Sequence, residues 1–322
     1  MATSTYPTMT GAIDNTSHAN FIPAIWEDEV IAAYKSNLQM GALVRKMPFQ
    51  GKKGDTIYLP KPTRGDANAK AEGTAVTIQN PTVNQLTISI DKHYEYSTLI
   101  EDITSVQAFN SMRQFYTDDA GYQLAKQVDD DLFTEAQAWG DGTVGDWVHS
   151  QSFYADTATS IAAYAVDTVV ATDAFTDAVF RRLMQVLDDQ DVPMTSRYFV
   201  IPPSLKNTIL GIDQYVSTDY VNGKPTVNGK IGTLYGVEVY VSTNCPVTEA
   251  AADNAVSAVD TRGCMLFHKD ATVFVEQLGV RSQTQYKQEF LADLFTADTI
   301  YGVKAYRPEA GVVFNVPDVV TG

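Results

Sequence analysis

The sequence predicts an α+β fold, in which helices and strands occupy largely separate stretches of the chain. Three observations lead to this prediction. Two strand patterns flank a polar, turn-rich stretch at 60–81, and one long apolar stripe at helical spacing follows them. After a block of mixed helix and strand patterns, strands return near the end of the chain at 271–276, 283–290 and 299–306.

The chain begins with a segment that is predicted to be an arm followed by a short helix. Residues 1–22 are rich in Thr, Ser, Asn and Ala and contain few apolar side chains to form a core. Pro23 opens the helix candidate, and acidic residues at 27–29 suit the positive end of a helix dipole. The start has neither a basic region nor an apolar run, so we expect no secretory signal peptide.

A long hairpin is predicted next. Residues 57–59 form a short strand pattern, and a longer one runs from Leu86 to Tyr96 with alternating apolar side chains. The residues between them are rich in Pro and Gly and almost lack large apolar side chains. Loops of this length are usually functional, and an isolated two-stranded hairpin is marginally stable. We therefore expect this hairpin to need a partner surface.

A long helix is predicted from about residue 101 to residue 139. Thr98-Leu-Ile-Glu101 has the spacing of a capping box. An unbroken helix over this range would be roughly 57 Å long at 1.5 Å rise per residue. Its apolar stripe consists of Phe109, Met112, Tyr116, Ala120, Leu124, Val128, Leu132, Ala136 and Trp139.

The block that follows mixes helix and strand patterns. An amphipathic helix runs from Phe175 to Leu187, and a buried strand at 197–201 ends at Pro202-Pro203. Short strands are predicted at 234–235 and 237–241.

Composition excludes several classes of function. With 23 Lys+Arg against 39 Asp+Glu, the formal net charge is −16, which argues against a protein whose main work is gripping nucleic-acid phosphates. No run of apolar residues is long enough to cross a membrane. The two cysteines, Cys245 and Cys264, form no Cys-x-x-Cys motif, so we expect neither a disulfide framework nor a zinc site, and the composition suits a reducing cytosol.

Signatures of catalysis are weak. Neither a phosphate-binding Gly-x-x-x-x-Gly-Lys-Ser/Thr motif nor a Gly-x-Ser-x-Gly motif occurs. His149 and Ser150 near Asp146 could be drawn as a triad, but triads are spatial and this cluster is local. The aspartate clusters could serve a hydrolase or a calcium site, although the EF-hand spacing is missing and a solvated helix face is the simpler interpretation. We predict no catalytic, cofactor-binding or metal-binding residue, with an acidic-site hydrolase as the competing function.

Charge is segregated along the chain. Residues 45–70 contain seven cations and two carboxylates, whereas residues 118–146 contain eight carboxylates and one lysine. Complementary charge on an unsupported hairpin and on a helix suggests that copies of the chain dock on one another. The predicted contact joins Lys52, Lys53, Lys61, Arg64 and Lys70 of one copy to Asp118, Asp119, Asp129, Asp130, Asp131 and Glu135 of its neighbour.

Several short motifs follow one another in a distinctive order along the chain. They are Phe21-Ile-Pro-x-Ile-Trp26, Gly51-Lys-Lys-Gly-Asp-Thr-Ile57, Asp91-Lys-His-Tyr-Glu-Tyr-Ser97, Tyr116-Thr-Asp-Asp-Ala-Gly-Tyr122, Ile201-Pro202-Pro203 and Arg307-Pro308. No single motif is a catalytic fingerprint, but with this order of motifs the chain resembles, over roughly residues 20 to 315, the major capsid (coat) protein of tailed bacteriophages, which has the Hong Kong 97-type fold.

The resemblance implies a division of the chain into five segments. It implies an N-terminal arm with a short helix at 1–47, an extended E-loop hairpin at 48–97 and a peripheral domain with a long spine helix at 98–164. An axial domain at 165–262 and strands that return to the peripheral domain at 263–322 complete the expected fold.

The resemblance also implies a structural function. The chain would self-assemble as hexamers and pentamers into the icosahedral head shell of a phage, inside the bacterial host cytoplasm, and remain in the virion capsid. Its expected partners are other copies of itself, a separate scaffolding protein, a portal protein and a decoration or cement protein. Genomic DNA would be touched only weakly and non-specifically, and no membrane is involved. A non-viral, encapsulin-like compartment shell is an alternative with the same fold.

Overall fold

The structure is a computed structural model. It describes residues 39–49, 54–63, 65–80, 82–102, 112–173, 175–212, 232–250 and 259–318. The predicted arm and the helix candidate that opens at Pro23 lie outside the described residues, as do residues 103–111 of the predicted long helix.

Four helices and fourteen strands make up the described part of the chain. The helices are α1 (Met40–Leu43), α2 (Met112–Glu135), α3 (Asp177–Asp189) and α4 (Pro203–Leu210), with 3-10 turns at Ala136–Ala138 and Pro308–Ala310. The first seven strands are β1 (Arg45–Pro48), β2 (Thr56–Pro62), β3 (Val83–Ser89), β4 (Lys92–Glu101), β5 (Ser152–Thr157), β6 (Ser160–Ala163) and β7 (Arg197–Ile201). The remaining strands are β8 (Thr233–Leu234), β9 (Val237–Val241), β10 (Val247–Thr248), β11 (Thr261–His268), β12 (Thr272–Lys287), β13 (Ala292–Ala305) and β14 (Gly311–Pro317). The α+β fold class predicted from the sequence is confirmed.

A four-stranded sheet carries the long helix α2. Its strand order is β1-β12-β13-β4, with β1 parallel to β12 and the other neighbours antiparallel. Ala120 and Leu124 of the helix pack against Phe295 and Ala297 of β13. The apolar stripe predicted for the helix therefore faces the sheet, as the 3.6-residue period requires.

A second, eight-stranded sheet contains the block of mixed helix and strand patterns. Its order is β6-β5-β14-β11-β7-β9-β8, and β10 pairs with β11. Helix α3 covers this sheet, because Phe180 of the helix stacks near Phe199 of β7, with ring centroids 5.2 Å apart. Thr176 caps the helix by accepting a hydrogen bond from Val179 N at 3.3 Å.

The last segment of the chain contributes to both sheets. Strands β12 and β13 belong to the four-stranded sheet, whereas β11 and β14 pair within the eight-stranded sheet. The described strands therefore do not place the whole of 263–322 beside the helix α2. Residues 92–97, at the end of the expected E-loop segment, form β4 together with the residues that follow them to Glu101. Strand β4 is also part of the four-stranded sheet.

Trp139 joins the end of α2 to both sheets. Its indole Nε1 donates a hydrogen bond to Thr272 Oγ1 of β12 at 3.1 Å, and its ring lies 5.7 Å from that of Phe267 on β11. A Cβ at Gly311 of β14 would come within 2.4 Å of the indole, so only glycine leaves room for the ring. Trp139 is fully buried at this junction.

The capping-box prediction at Thr98–Glu101 is wrong, because these residues end strand β4. They pair with Ala292–Phe295 of β13, and their side chains alternate between half-buried and exposed as a strand requires. The strand ladder outweighs a local spacing that is worth about 1 kcal/mol. The described helix runs over Met112–Glu135, and a 3-10 turn follows to Ala138, close to the predicted end at residue 139.

Candidate assembly interface

The root of the predicted hairpin is held by the four-stranded sheet. Ile88 and Ile90 are buried against Val273 and Val275 of β12. Ile90 N also donates a hydrogen bond to Asp55 O at 2.7 Å, which closes the root. The hairpin itself, β2 against β3 from Thr56↔Ser89 to Pro62↔Val83, is confirmed.

Beyond this root, the hairpin has no core of its own. Every described residue from Pro60 to Gln85 is exposed, and we call these residues the hairpin tip. Three apolar side chains in it are largely in solvent: Val76 is 68% exposed, Ile78 is 88% exposed and Val83 is 67% exposed. The tip therefore gains little from burial within its own chain, and its apolar side chains are available to another surface.

Local hydrogen bonds give the hairpin tip its shape. Thr63 Oγ1 donates to Thr82 O at 2.7 Å across the two strands, and Thr74 Oγ1 donates to Ala71 O at 2.7 Å in a turn. Gly73 lies in that turn with φ +76°, a conformation that favours glycine. Backbone geometry and these bonds set the tip's path, whereas side-chain packing does not.

The cations predicted to dock lie only partly on the hairpin tip. Lys61 and Lys70 are exposed there, whereas Lys52, Lys53 and Arg64 lie outside the described residues. Residues 61–82 also contain Asp66 and Glu72, so this stretch carries three cations and two carboxylates. The excess positive charge of the region thus belongs mainly to residues that precede β2 in the chain, including Arg45, which pairs with Asp270 at 3.2 Å.

Three of the six predicted helix carboxylates are buried in the chain itself. Asp129 is 2% exposed, Asp131 is 9% exposed and Glu135 is 7% exposed. Asp129 accepts hydrogen bonds from Gly41 N at 3.3 Å and from Asn244 Nδ2 at 3.4 Å. Burial nevertheless raises the pKa of Asp129 above its ordinary value.

Asp131 and Glu135 attach the helix to the four-stranded sheet. Asp131 accepts a hydrogen bond from Tyr301 Oη at 2.6 Å and lies 3.2 Å from Lys92 Nζ. Glu135 accepts a hydrogen bond from Ala305 N at 2.9 Å, with Lys304 Nζ at 3.6 Å. Burial raises the pKa of Glu135, although these donors act in the opposite direction.

The internal role of these carboxylates was missed by the sequence analysis, although a pattern pointed to it. Asp131 and Glu135 follow Val128 by three and seven residues, so they continue the buried stripe of α2. Their partners are about 40 to 170 residues away in the chain and no local pattern identifies them. Asp118 is exposed, and Asp119 and Asp130 are half-buried, so these three remain the candidates for docking.

A second exposed apolar site lies where β12 turns into β13, and the sequence analysis did not predict it. Phe290 is 62% exposed and Leu291 is 65% exposed, and Leu291 has φ +48°. Tyr286 at the end of β12 is tied back by a hydrogen bond from its Oη to Asp102 Oδ2 at 2.7 Å. The four-stranded sheet thus also ends in a turn with two largely exposed apolar side chains.

The described residues do not form the triad that was considered for hydrolysis. His149 is buried and its Nδ1 accepts a hydrogen bond from Gln151 N at 3.3 Å, while burial lowers its pKa. Ser150 Oγ instead accepts a hydrogen bond from Asp141 N at 3.3 Å. Ser150 is therefore not placed as a nucleophile activated by this histidine.

No group of three or more His, Cys, Asp or Glu side chains in the described ranges could hold a metal ion. No helix in that part of the chain is both long enough and apolar enough to cross a membrane.

Comparisons with solved structures identify the fold. A chain of Mycobacterium phage Che8 is 22% identical, with 92% of this chain and 97% of that chain covered and a TM-score of 0.70. The capsid of cyanophage P-SCSP1u is 16% identical over 97% and 98% of the two chains, with a TM-score of 0.71. The capsid of cyanophage Pam1 is 12% identical over 98% and 99%, with a TM-score of 0.70. At these identities the matches show the fold.

Sequence comparisons supply the family. No curated protein sequence matches the chain. A family model described as phage capsid protein matches residues 24–314, which is most of the chain, and the resemblance inferred from the sequence is confirmed. The chain belongs to the phage capsid protein family.

Proposed function

We propose that copies of this chain assemble as hexamers and pentamers into an icosahedral head shell around the phage genome, with each hairpin tip lying over a neighbouring copy. As a member of the phage capsid protein family, the chain is a structural protein of the virion capsid and not an enzyme. The hydrolase and the encapsulin-like compartment, the two alternatives considered from sequence, are not supported by these matches.

The exposure of the hairpin tip is the observation that carries this proposal. A projection of this length with Val76, Ile78 and Val83 in solvent is expensive to keep ordered in a monomer. Contact with another copy would bury these side chains and would give the two-stranded sheet of the hairpin a surface to pack against. If identical chains dock on one another, a single kind of protein is enough to form this contact.

We propose that charge orients the two copies in this contact but supplies little of its binding free energy. Lys61 and Lys70 of the tip, with Lys52, Lys53 and Arg64, would face Asp118, Asp119 and Asp130 of a neighbour. Exposed ion pairs contribute little free energy and are screened by salt, so the apolar side chains of the tip supply most of the attraction.

The remaining partners follow from the family resemblance. We propose a separate scaffolding protein, a portal protein and a decoration or cement protein, with assembly in the bacterial host cytoplasm. The net charge of −16 supports weak, non-specific contact with packaged DNA. The division into arm, E-loop, peripheral and axial segments remains part of the proposal.

Assembly of the purified chain, with and without a scaffolding protein, tests the proposal. We expect wild-type chain to form particles of uniform diameter in negative-stain microscopy. Ile78→Asp should remain as free subunits or small oligomers, because a carboxylate in a buried apolar contact costs several kcal/mol. Added salt and Lys61→Glu should slow assembly only modestly.

Met194→Asp is the matched control, because Met194 is 74% exposed and belongs to the segment between α3 and β7, outside the hairpin. Circular dichroism should show that both variants keep the wild-type fold. Particles formed by Ile78→Asp at wild-type yield would contradict the role of the hairpin tip. A wild-type chain that stays monomeric under every condition would contradict shell assembly itself.

A further inference from the structure

We propose that Cys245 and Cys264 form an intramolecular disulfide when the chain meets an oxidant, which makes this cysteine pair a covalent modification site in the eight-stranded sheet. Both cysteines are free thiols in the structure. The site joins the segment between β9 and β10 to the middle of β11, and it is independent of the assembly function proposed above.

Strand register brings the two cysteines together. β10 runs antiparallel to β11, with Val247 opposite Arg262 and Thr248 opposite Thr261. The ladder continues past the end of β10, because Gly263 N donates a hydrogen bond to Pro246 O at 3.0 Å. Extending this register by one more residue places Cys245 opposite Cys264.

The type of pairing suits a disulfide. Because Gly263 and Pro246 form a hydrogen-bonded pair, the next pair in an antiparallel ladder is of the non-hydrogen-bonded type. Residues in such pairs have Cα atoms about 4.5 Å apart and side chains on the same face of the sheet. Disulfides span Cα separations of about 4.4 to 6.8 Å, so the bond can close without moving the strands far.

Burial decides when the bond forms. Cys245 is 3% exposed and Cys264 is fully buried, and both belong to the main apolar core. Burial raises the pKa of Cys245 to about 12, and burial together with the adjacent Cys245 raises the pKa of Cys264. The thiolate is the reactive form, so the folded chain reacts slowly and the bond forms mainly while the chain folds or opens locally.

The chemistry is thiol–disulfide exchange with a small-molecule disulfide such as oxidised glutathione. The thiolate of one cysteine attacks this disulfide, forms a mixed disulfide and releases one small thiol. The second cysteine then displaces the other small thiol and forms the Cys245–Cys264 bond. In total the two cysteines lose two protons and two electrons, and the small disulfide takes them up to become two thiols.

The bond closes a ring from residue 245 to residue 264 and so restricts the unfolded chain. It also fixes the residue next to Asn244, whose side chain donates a hydrogen bond to Asp129 of α2. We therefore expect the oxidised chain to unfold at a temperature higher by roughly 5 °C than the reduced chain.

Refolding the full chain in a glutathione redox buffer, against refolding in excess reductant, tests the site. We expect the oxidised sample to lose 2 Da (about two hydrogens) and both free thiols. Peptide mapping should find residue 245 linked to residue 264 within one chain. The thermal midpoint should rise as stated.

Cys245→Ala and Cys264→Ala are the matched controls, and neither should show the 2 Da loss or the rise in thermal midpoint in the redox buffer. Two free thiols after oxidative refolding would overturn the proposal. So would stable glutathione adducts or disulfide-linked dimers as the main products. The wild-type comparison stands even if a variant fails to fold, because it uses the unchanged chain under two conditions.

Discussion

The second half of α2 and the hairpin tip both carry charged residues, yet they have opposite relations to the rest of the chain. In the helix, Asp129, Asp131 and Glu135 are buried, and each accepts hydrogen bonds from residues far away in the sequence. In the tip, charged and apolar side chains alike are exposed, and the hydrogen bonds are local. The first region stabilises the subunit, whereas the second is the surface that we propose to contact a neighbour.

This difference shows that formal charge alone does not reveal whether a residue makes contacts within its own subunit or with a neighbouring one. A carboxylate on a helix can attach that helix to its own sheet or present charge to a partner, and burial distinguishes the two. This division separates residues whose substitution should unfold the subunit from residues whose substitution should only prevent assembly.

Matched truncations in the two regions should give the largest contrast. Leu132→Ala in α2 removes a fully buried side chain and should lower the free energy of unfolding by about 2–5 kcal/mol. Ile78→Ala in the tip should change it by less than about 0.5 kcal/mol, because Ile78 is 88% exposed. Urea denaturation of unassembled chains measures both. Equal losses would remove the distinction between the regions.

Two substitutions of Glu135 should separate its hydrogen bond from its charge. Glu135→Ala leaves the buried Ala305 N–H without its acceptor and should cost about 1–3 kcal/mol. Glu135→Gln keeps an acceptor oxygen and loses only the pairing with Lys304, whose side chain is 41% exposed, so its cost should stay below about 1 kcal/mol. Urea denaturation at neutral pH compares the two. If Gln proves as costly as Ala, the ionic pairing with Lys304 dominates.

The pH dependence of the same variant should give the smallest effect. Because the pKa of Glu135 is raised on folding, its contribution to stability is present below the pKa of the unfolded chain and is lost as pH rises through the folded pKa. Wild type should therefore lose stability relative to Glu135→Gln as pH rises from about 4 toward neutrality. Urea titrations across that range measure the difference. A flat profile, or a wild type that gains stability relative to Glu135→Gln as pH rises, would show that the hydrogen-bond donors match or outweigh the effect of burial on the pKa of Glu135.

Sequence patterns predicted the features that depend on local periodicity. The hairpin strands, the buried stripe of α2 and the strand at Arg197–Ile201 all follow from side-chain alternation. Thr98–Glu101 was mispredicted because pairing with β13, a strand almost 200 residues later, overrode a local capping pattern. The break predicted between 276 and 283 is absent, since β12 passes through it with two register shifts instead of ending.

The candidate site was harder to predict, because which of its residues are buried and which are exposed depends on partners that are far away in the sequence. Exposure of the hairpin tip was inferred correctly from its lack of apolar residues. The burial of Asp131 required Tyr301 and Lys92, which only the folded sheet brings to the helix. The apolar turn at Phe290 and Leu291 was missed, because those residues continue a strand-like pattern and their exposure is decided by where β12 ends.

Trp139 has a mechanical consequence for a shell built from such subunits. One indole is hydrogen-bonded to the four-stranded sheet and packed against two strands of the eight-stranded sheet, with no space left at Gly311. A load on either sheet is therefore passed to the other through a close-packed contact that resists bending. We infer that the curvature of a shell built from such subunits comes mainly from rotation between whole subunits, because each subunit body resists bending at this junction.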